Sequence, residues 1–336
     1  MNKPSDNSQD RTLIELERER GLGGAGELDS TRQVPVIDLE ALSSTEQLDP
    51  TLWQAAVDCG FFQLRGHGFD VEELNAVFDA AVAFFELPEK VKSGWPLRDG
   101  SNAGWESMAQ VRPSTGSPDQ KESYQVTRPR MTGLWPDDAQ LPGFRAIMED
   151  FEARAWQLAM RVLSSFARSL GFDEAFFARA HAPESEHYQS TLRLLHYFPV
   201  GPRPAGAPEQ WRAGAHTDFD CLTLLFQRDG QDGLQVCPGA ESQSSVWTPV
   251  PAQSDLITCN IGDMLMRWSD DKLRSTLHRV RAPESGEAAA DRYTIAFFAQ
   301  ANRDQLIEGP LGKYPPITAH DYLQQRIAAN FSERSS

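Results

Sequence analysis

Three residues with metal-binding side chains, His216, Asp218 and His278, restrict most strongly how this chain can fold. His216 and Asp218 are two positions apart, and such side chains point to the same face of a β-strand. His278 follows His216 by 62 residues, which is far enough to lie on a second strand. All three side chains meet only if that strand returns beside the first, so the spacing predicts a small β-barrel with a metal site.

Two histidines and one carboxylate are typical of one class of metal site. Together they bind one face of an octahedral metal ion and leave its other positions open, as in non-heme Fe(II) oxygenases. Asp220 is a competing carboxylate, and Asp218 could instead cap a turn. Because residue i+4 lies about 13 Å from residue i along an ideal strand, we select Asp218 as the ligand.

Arg292 and Thr294 share one face of a predicted strand, while Tyr293 between them points away. A buried guanidinium requires an anionic partner, and its planar shape suits a carboxylate that accepts two parallel hydrogen bonds. An ordinary surface arginine on an edge strand is the alternative interpretation. The shared face favours a carboxylate-binding pair.

Four segments that carry these residues resemble, in order and spacing, the motifs of the Fe(II)- and 2-oxoglutarate-dependent dioxygenases. The likeness is greatest to the isopenicillin N synthase-like branch. The segments are residues 214–226, 260–264, 275–280 and 292–298. In the N-terminal half, residues 34–39 and 60–68 are similar to the first region of that branch. The resemblance extends over roughly residues 33–325.

This resemblance implies both a fold and a reaction. The fold is α+β, with a double-stranded β-helix (jelly-roll) core, flanking helices and an N-terminal α/β region. The reaction uses O₂ to decarboxylate 2-oxoglutarate to succinate and CO₂. That step is coupled to hydroxylation, desaturation or cyclisation of a small-molecule substrate.

The resemblance also implies roles for individual residues. His216, Asp218 and His278 bind Fe(II) and form the catalytic centre, while Arg292 and Thr294 bind the far carboxylate of 2-oxoglutarate. Many family members carry serine at the position of Thr294. Threonine keeps the hydroxyl donor and adds a methyl group.

Further contacts are predicted around this centre. Tyr197 resembles a tyrosine that touches the co-substrate in some relatives, and a packed core position is the alternative. Leu195 stands where many plant members carry asparagine. Aromatic and cationic residues are predicted to line the substrate pocket, although aromatic residues also serve as core. They are Phe219, Phe298, Arg98 and Trp105.

The same residues leave other functions open. A related iron oxidase, or an ethylene-forming enzyme, would not use 2-oxoglutarate as an ordinary co-substrate. The Arg292 and Thr294 pair does not exclude either, because such oxidases retain a similar pair for another carboxylate. A more remote alternative is a non-enzymatic metal-binding module or a zinc hydrolase, and neither would need O₂.

Hydrophobic periodicity predicts the organisation of the chain. Residues 1–32 are interpreted as a loosely ordered tail, 33–143 as the N-terminal dioxygenase region, and 144–330 as a helix plus the jelly-roll catalytic core. Apolar residues at three- and four-residue steps predict a helix over residues 144–170. Further helices are predicted from Asp49-Pro50 to near Gly60, after Asp70, and over residues 319–330.

Short apolar runs separated by turn residues follow Thr191 and predict a double-sheet jelly roll. The eight predicted strands cover residues 192–198, 222–226, 234–236, 246–250, 256–260, 264–268, 276–280 and 293–298. The preceding segment, residues 92–143, is rich in Gly, Pro and Ser. It is predicted to cover the active site or to form a packed surface connection.

Composition limits the class of partner. A net charge of −16 opposes binding to nucleic acid and to anionic membranes. No run of 18 apolar residues predicts a membrane span. The acidic N-terminus lacks the pattern of a secretory signal. The four cysteines are too scattered for a disulfide framework, which favours the cytoplasm. We therefore expect a small-molecule substrate and no obligate protein partner.

Overall fold

The computed structural model describes residues 26–42, 44–98, 100–110, 118–199, 211–238, 246–283 and 290–331. Its helices are α1 (Thr45–Asp58), α2 (Val71–Phe85), α3 (Glu89–Lys92), α4 (Phe144–Leu170), α5 (Phe176–Ala180), α6 (Asp263–Trp268) and α7 (Ala319–Phe331). A 3₁₀ turn covers Arg128–Arg130. The tail predicted over residues 1–32 falls largely outside the described residues.

Short strands alternate with these helices. They are β1 (Glu27–Leu28), β2 (Val36–Asp38), β3 (Phe61–Arg65), β4 (Gly104–Ser107), β5 (Lys121–Val126), β6 (Thr191–Tyr197), β7 (Trp211–His216), β8 (Leu222–Gln227), β9 (Leu234–Cys237), β10 (Val246–Pro249), β11 (Ile257–Ile261), β12 (Leu277–Arg281), β13 (Arg292–Ala299), β14 (Leu306–Ile307) and β15 (Ile317–Thr318).

Two sheets of unequal size form the β core. The larger has the strand order β2-β3-β11-β8-β13-β6-β5-β4, and the smaller has the order β1-β10-β9-β12-β7. Strands β4 to β6, β8, β11 and β13 are antiparallel to their neighbours. One face of the larger sheet carries the helices, and the other faces the interior between the sheets. Strands β7 and β12, which carry the predicted ligands His216 and His278, are neighbours in the smaller sheet.

Helix α4 covers the outer face of the larger sheet and confirms the helix predicted over residues 144–170. Its buried side chains include Phe151, Ala155, Val162 and Phe166, which recur at the predicted steps. It ends at Gly171, whose φ of 82° is left-handed, a conformation that glycine adopts without steric cost. Helix α2 begins with the predicted capping box between Asp70 and Glu73.

Two sequence predictions are wrong in this region. Residues 264–268 were predicted as a strand, but Asp263–Trp268 form helix α6, because a short apolar run is compatible with either conformation. Helix α1 begins at Thr45, before the predicted start at Asp49-Pro50, and it contains Pro50. Proline removes one backbone hydrogen bond there, and burial of the apolar face of α1 offsets this cost.

Within the described residues, none of the helices combines the length and the apolar character needed to cross a bilayer.

Candidate metal centre

The pairing of β7 with β12 brings His216 directly opposite His278. Their imidazole centroids are 4.2 Å apart. Asp218 follows the end of β7, and its Oδ1 lies 4.0 Å from Nε2 of His216 and 3.8 Å from Nε2 of His278. One ligand atom from each residue lies within 4.8 Å of the others. The three residues predicted as metal ligands therefore converge on one point.

Hydrogen bonds orient both imidazoles toward this point. Nδ1 of His216 lies 2.8 Å from the Gly214 carbonyl, and Nδ1 of His278 lies 3.3 Å from the Thr276 carbonyl. A carbonyl can only accept, so the proton of each neutral ring is on Nδ1 and the lone pair is on Nε2. Nε2 is the atom that faces Asp218 in both cases, which suits metal binding.

The second oxygen of Asp218 is held by the protein. Its Oδ2 accepts hydrogen bonds from Oγ1 of Thr223 at 2.7 Å and from Nδ2 of Asn260 at 2.8 Å. This arrangement directs Oδ1 toward the histidines. Sequence reasoning gave no role to either partner, although Thr223 and Asn260 lie within motifs that resemble the family.

Asp220, the competing carboxylate, has a different environment. It is fully buried, and burial and the nearby Asp218 carboxylate raise its pKa well above the ordinary value for aspartate. Oγ1 of Thr223 lies 3.0 Å from Oδ2 of Asp220. The hydroxyl of Thr223 therefore lies between the two carboxyl groups and links Asp220 to Asp218. Asp220 thus supports Asp218 and is not among the converging ligands.

Arg292 and Thr294 lie on β13 with 2% and 1% of their surface exposed. Nε of Arg292 donates to the Gln231 carbonyl at 2.9 Å. Among the residues that the structure describes, Nη1 and Nη2 of Arg292 and Oγ1 of Thr294 have no hydrogen-bond partner. Burial lowers the pKa of the Arg292 guanidinium. A buried cation with two unsatisfied donor groups fits an anionic ligand.

Tyr197 completes this part of the site. It pairs with Arg292 in the register between β6 and β13, and its ring centroid lies 4.9 Å from the guanidinium carbon. A second buried arginine, Arg212, lies nearby. The pKa of Arg212 is lowered mainly by burial and also by the positive charge of Arg292. Two neighbouring buried cations make the fit to a carboxylate more specific. The predicted co-substrate residues therefore lie together.

The four residues predicted to line the substrate pocket do not lie together. Phe298 is half-buried and lies on the same face of β13 as Arg292 and Thr294. Trp105 points to the opposite face of the larger sheet, because it pairs with the core residue Tyr124. The structure therefore does not bring Trp105 into the barrel interior.

Arg98 and Phe219 lie in other surroundings. Arg98 is exposed and donates to the Thr132 carbonyl at 2.8 Å. The ring of Phe219 packs against the guanidinium of Arg326, 4.9 Å away. A substrate contact by either residue stays a prediction.

Other interior residues had no predicted role. Nη2 of Arg193 donates to Oε1 of Gln125 at 2.9 Å, and its guanidinium lies 5.1 Å from the centroid of Phe298. Nε2 of Gln125 donates to Oε1 of Glu106 at 3.1 Å. The alternating polar residues of β5, Lys121, Ser123 and Gln125, could have indicated a polar face inside the barrel. Such alternation is also typical of a strand with one face in solvent, so the sequence does not distinguish the two.

Comparison with known proteins gives matches over both halves of the chain. The family model of the 2OG-Fe(II) oxygenase superfamily matches residues 189–301. A model described as the N-terminal region of the non-haem dioxygenase in morphine synthesis matches residues 34–142.

Fungal relatives match most of the chain. A 2-oxoglutarate-Fe(II) type oxidoreductase of Metarhizium rileyi is 35% identical over 315 residues, which cover 82% of this chain and 84% of that protein. A proline hydroxylase of Petromyces alliaceus is 34% identical over 315 residues, covering 87% of this chain and 96% of that protein.

The solved structures include a full-length protein of Neurospora crassa in complex with α-ketoglutarate and thymine. It has a TM-score of 0.75 and 29% identity, and the match covers 88% of this chain and 96% of that one. The putative 2OG-Fe(II) oxygenase family protein of Caulobacter crescentus has a TM-score of 0.74 and 27% identity, with 88% and 98% covered. These structures confirm the predicted α+β jelly-roll fold.

Proposed function

The chain belongs to the 2OG-Fe(II) oxygenase superfamily and is a 2-oxoglutarate-dependent non-heme iron dioxygenase, and on that premise we propose that His216, Asp218 and His278 hold its iron. Their convergence within 4.8 Å supports this assignment. Imidazole nitrogens and one carboxylate oxygen are a donor set that suits Fe(II) and leaves positions open for ligands.

The co-substrate site is assigned to Arg292, Thr294 and Tyr197. The observation that carries this assignment is the buried guanidinium of Arg292, whose terminal nitrogens have no hydrogen-bond partner among the described residues. The far carboxylate of 2-oxoglutarate supplies two acceptor oxygens and a negative charge for these donors. The hydroxyl of Thr294, also buried and unsatisfied within the described part of the chain, donates a third hydrogen bond.

When bound, iron and 2-oxoglutarate supply the oxidation of a substrate C–H bond by O₂, with release of succinate and CO₂. The contribution of the chain is positional. Thr223 and Asn260 fix the ligand oxygen of Asp218, and the Gly214 and Thr276 carbonyls fix the histidine rings. Arg292 would hold the far carboxylate of the co-substrate.

The substrate is proposed to bind a patch of four half-buried side chains that face the interior, namely Glu106, Arg193, Leu225 and Phe298. Phe298 pairs with Thr223 across β13 and β8, and Thr223 binds Asp218. The patch therefore borders the metal ligands. Leu225 and Phe298 favour a compact apolar or planar group, and Arg193 favours an oxygen acceptor on it. A small heterocycle or a cyclic amino acid meets both requirements.

The names of two relatives agree with this substrate class. One relative is called a proline hydroxylase, and the Neurospora crassa structure contains thymine. Both molecules are small rings with oxygen acceptors. We also propose that residues 33–143 and 144–330 act as the N-terminal region and the catalytic core. A cytoplasmic location is proposed because all four cysteines are buried thiols.

The first experiment tests iron and co-substrate together. Fe(II)-loaded protein is mixed with 2-oxoglutarate without O₂, and the visible absorption spectrum is recorded. The expected result is a metal-to-ligand charge-transfer band that is lost in Arg292→Met at low 2-oxoglutarate. Arg145→Met, which removes an exposed arginine paired with Glu149, is the matched control and keeps the band. Absence of the band in iron-loaded wild-type protein would contradict the co-substrate assignment.

The substrate assignment needs a separate experiment. Succinate release is measured with thymine and with L-proline in wild-type protein and in Arg193→Met. Stimulation of wild type by either compound, reduced in Arg193→Met with the charge-transfer band retained, would support the patch. Equal stimulation of both proteins would remove Arg193 from the proposed substrate site.

A further inference from the structure

Arg326, on the C-terminal helix α7, is an arginine with none of its surface exposed. Its Nη2 lies 2.5 Å from Oδ2 of Asp263 and 3.4 Å from Oγ1 of Thr217. Its guanidinium carbon lies 4.9 Å from the centroid of Phe219. Burial of such a side chain is unfavourable unless its charge is compensated, so these contacts determine where the end of α7 lies.

Two of these partners flank the proposed ligand Asp218. Thr217 separates His216 from Asp218, and Phe219 follows Asp218 directly. Arg326 therefore contacts the chain on both sides of a proposed metal ligand. Arg326 and Thr217 are 109 residues apart in the chain, so this contact depends on how α7 packs in the tertiary fold.

Asp263 connects the contacts of Arg326 to the ligand. Its backbone N–H donates to the carbonyl of Asp218 at 2.8 Å, and its Oδ2 accepts from Oγ1 of Thr217 at 3.1 Å. The residue before it, Gly262, is close to the same segment, since a Cβ there would lie 2.2 Å from the Asp220 carbonyl. Asp263, the first residue of helix α6, thus holds the metal segment, which we define as residues 216–218.

The carboxyl groups around Asp263 make the positive charge of Arg326 important as well as its position. Asp220 and Asp263 have no exposed surface, and the Asp218 side chain is 11% exposed. Three carboxyl groups thus lie in one poorly solvated region, where like charges repel one another. A cation beside Asp263 offsets this repulsion. Removal of one partner of a buried ion pair leaves the other charge uncompensated, which is strongly destabilising locally.

We propose that Arg326 is a positioning residue of the metal centre. It anchors Asp263, and Asp263 then holds Thr217 and the backbone of Asp218, so that Oδ1 of Asp218 faces His216 and His278. Helix α7, which is remote in sequence from all three ligands, thereby sets the affinity of the metal site. This inference rests on the proposed iron site.

The test uses Mn(II) as the probe, because the electron paramagnetic resonance signal of the free ion disappears when the ion binds to protein. Arg326→Met keeps most of the side-chain volume and removes the charge. We expect its dissociation constant for Mn(II) to rise about 10-fold or more, as for other residues that orient metal ligands. Arg168→Met is the matched control, since it removes an ion pair between α4 and Asp49, and its dissociation constant should stay at the wild-type value.

Thr217→Val gives an independent test if Arg326→Met does not fold, as judged by circular dichroism. It removes the hydroxyl that joins Asp263 to the ligand segment and retains the ion pair. We expect weaker Mn(II) binding here also, by about 5-fold, consistent with the loss of one hydrogen bond. Wild-type affinity in Thr217→Val, or in folded Arg326→Met, would overturn the proposal.

The same titration separates this proposal from the one on which it rests. If wild-type protein bound no Mn(II), the iron site itself would be wrong. If wild type bound one equivalent and Arg326→Lys bound it about as well as Arg326→Met, the geometry of the guanidinium would be the important property. If Arg326→Lys restored wild-type affinity, a cation paired with Asp263 would be sufficient for the positioning role, which wild-type affinity in folded Arg326→Met would overturn.

Discussion

The two halves of the site differ in how far the protein satisfies its own polar groups. At the metal end, Oδ2 of Asp218 and Nδ1 of both histidines have protein partners. At the co-substrate end, the terminal nitrogens of Arg292 and Oγ1 of Thr294 have none among the described residues. The metal end is organised in advance, whereas the co-substrate end depends on its ligand for compensation.

This difference shows at which end the binding of a ligand should stabilise the folded chain. Orientation of the metal ligands is established during folding, so the metal meets a prepared site. A buried cation without an anion destabilises the folded chain. The bound co-substrate relieves that destabilisation and adds stability in proportion to the logarithm of its concentration.

The largest effect is expected at the metal end. His216→Ala and Asp218→Ala each remove one of three ligands, so Fe(II)-dependent succinate formation should fall to background. Succinate is measured by mass spectrometry after incubation with 2-oxoglutarate and O₂. Asp173→Asn, which changes an exposed carboxylate paired with Arg179, is the matched carboxylate control and should retain metal binding. Ordinary turnover in either alanine variant would exclude the proposed triad.

Arg292→Met should have opposite effects on binding and stability. The affinity for 2-oxoglutarate should fall about 100-fold, because a charge-assisted bidentate contact is lost. The free energy of unfolding without ligands should rise by about 1–3 kcal/mol, because a buried guanidinium whose terminal nitrogens have no hydrogen-bond partner among the described residues is removed. Calorimetric titration of the Mn(II)-loaded protein and urea unfolding measure the two quantities. A loss of stability would show that Arg292 is compensated within the protein.

A smaller effect is expected for Asn260→Ala, which removes one of two donors to Oδ2 of Asp218. Metal affinity should fall about 10-fold, while 2-oxoglutarate affinity at saturating metal should not change. Parallel titrations with Mn(II) and 2-oxoglutarate separate these effects. An equal loss of both affinities would contradict the independence of the two ends.

The smallest effect is expected at Thr294. Thr294→Val removes the hydroxyl and should weaken 2-oxoglutarate binding about 5-fold, as for one hydrogen bond. Thr294→Ser retains the hydroxyl and should remain within about twofold of wild type. The two dissociation constants are compared by calorimetry. Wild-type affinity in Thr294→Val, together with a loss in Thr294→Ser, would assign the role to the methyl group instead.

Local patterns were sufficient for the elements with a long or strict period. The amphipathic repeat of residues 144–170 predicted α4 at its observed bounds. The two-residue spacing of Arg292 and Thr294 put both on one face of β13, and the same spacing kept Asp218 on the side of His216 although β7 ends at His216. The face that Arg292 shares with Thr294 predicted that Arg292 is not an ordinary surface arginine, and 2% of its surface is exposed. These inferences depend on geometry within one element.

Where two conformations share one local pattern, sequence reasoning was insufficient. The apolar run of α6 is too short to show a helical period, so it was predicted as a strand. Trp105 could have faced either side of the larger sheet, and only its pairing with Tyr124 established which. Strand register depends on the neighbouring strand, and no property of residues 104–107 alone specifies it.

By itself, the sequence determined which side chains could bind a metal and a carboxylate, because the period of a strand is a local property. Only the tertiary structure decided what holds those side chains in place. Thr223, Asn260 and Asp263 reach the metal segment from β8, β11 and α6, and Arg326 reaches it from α7. Except for that of Thr223, which is five residues from Asp218, these contacts join residues far apart in the chain, and they arise from packing of whole elements around one interior.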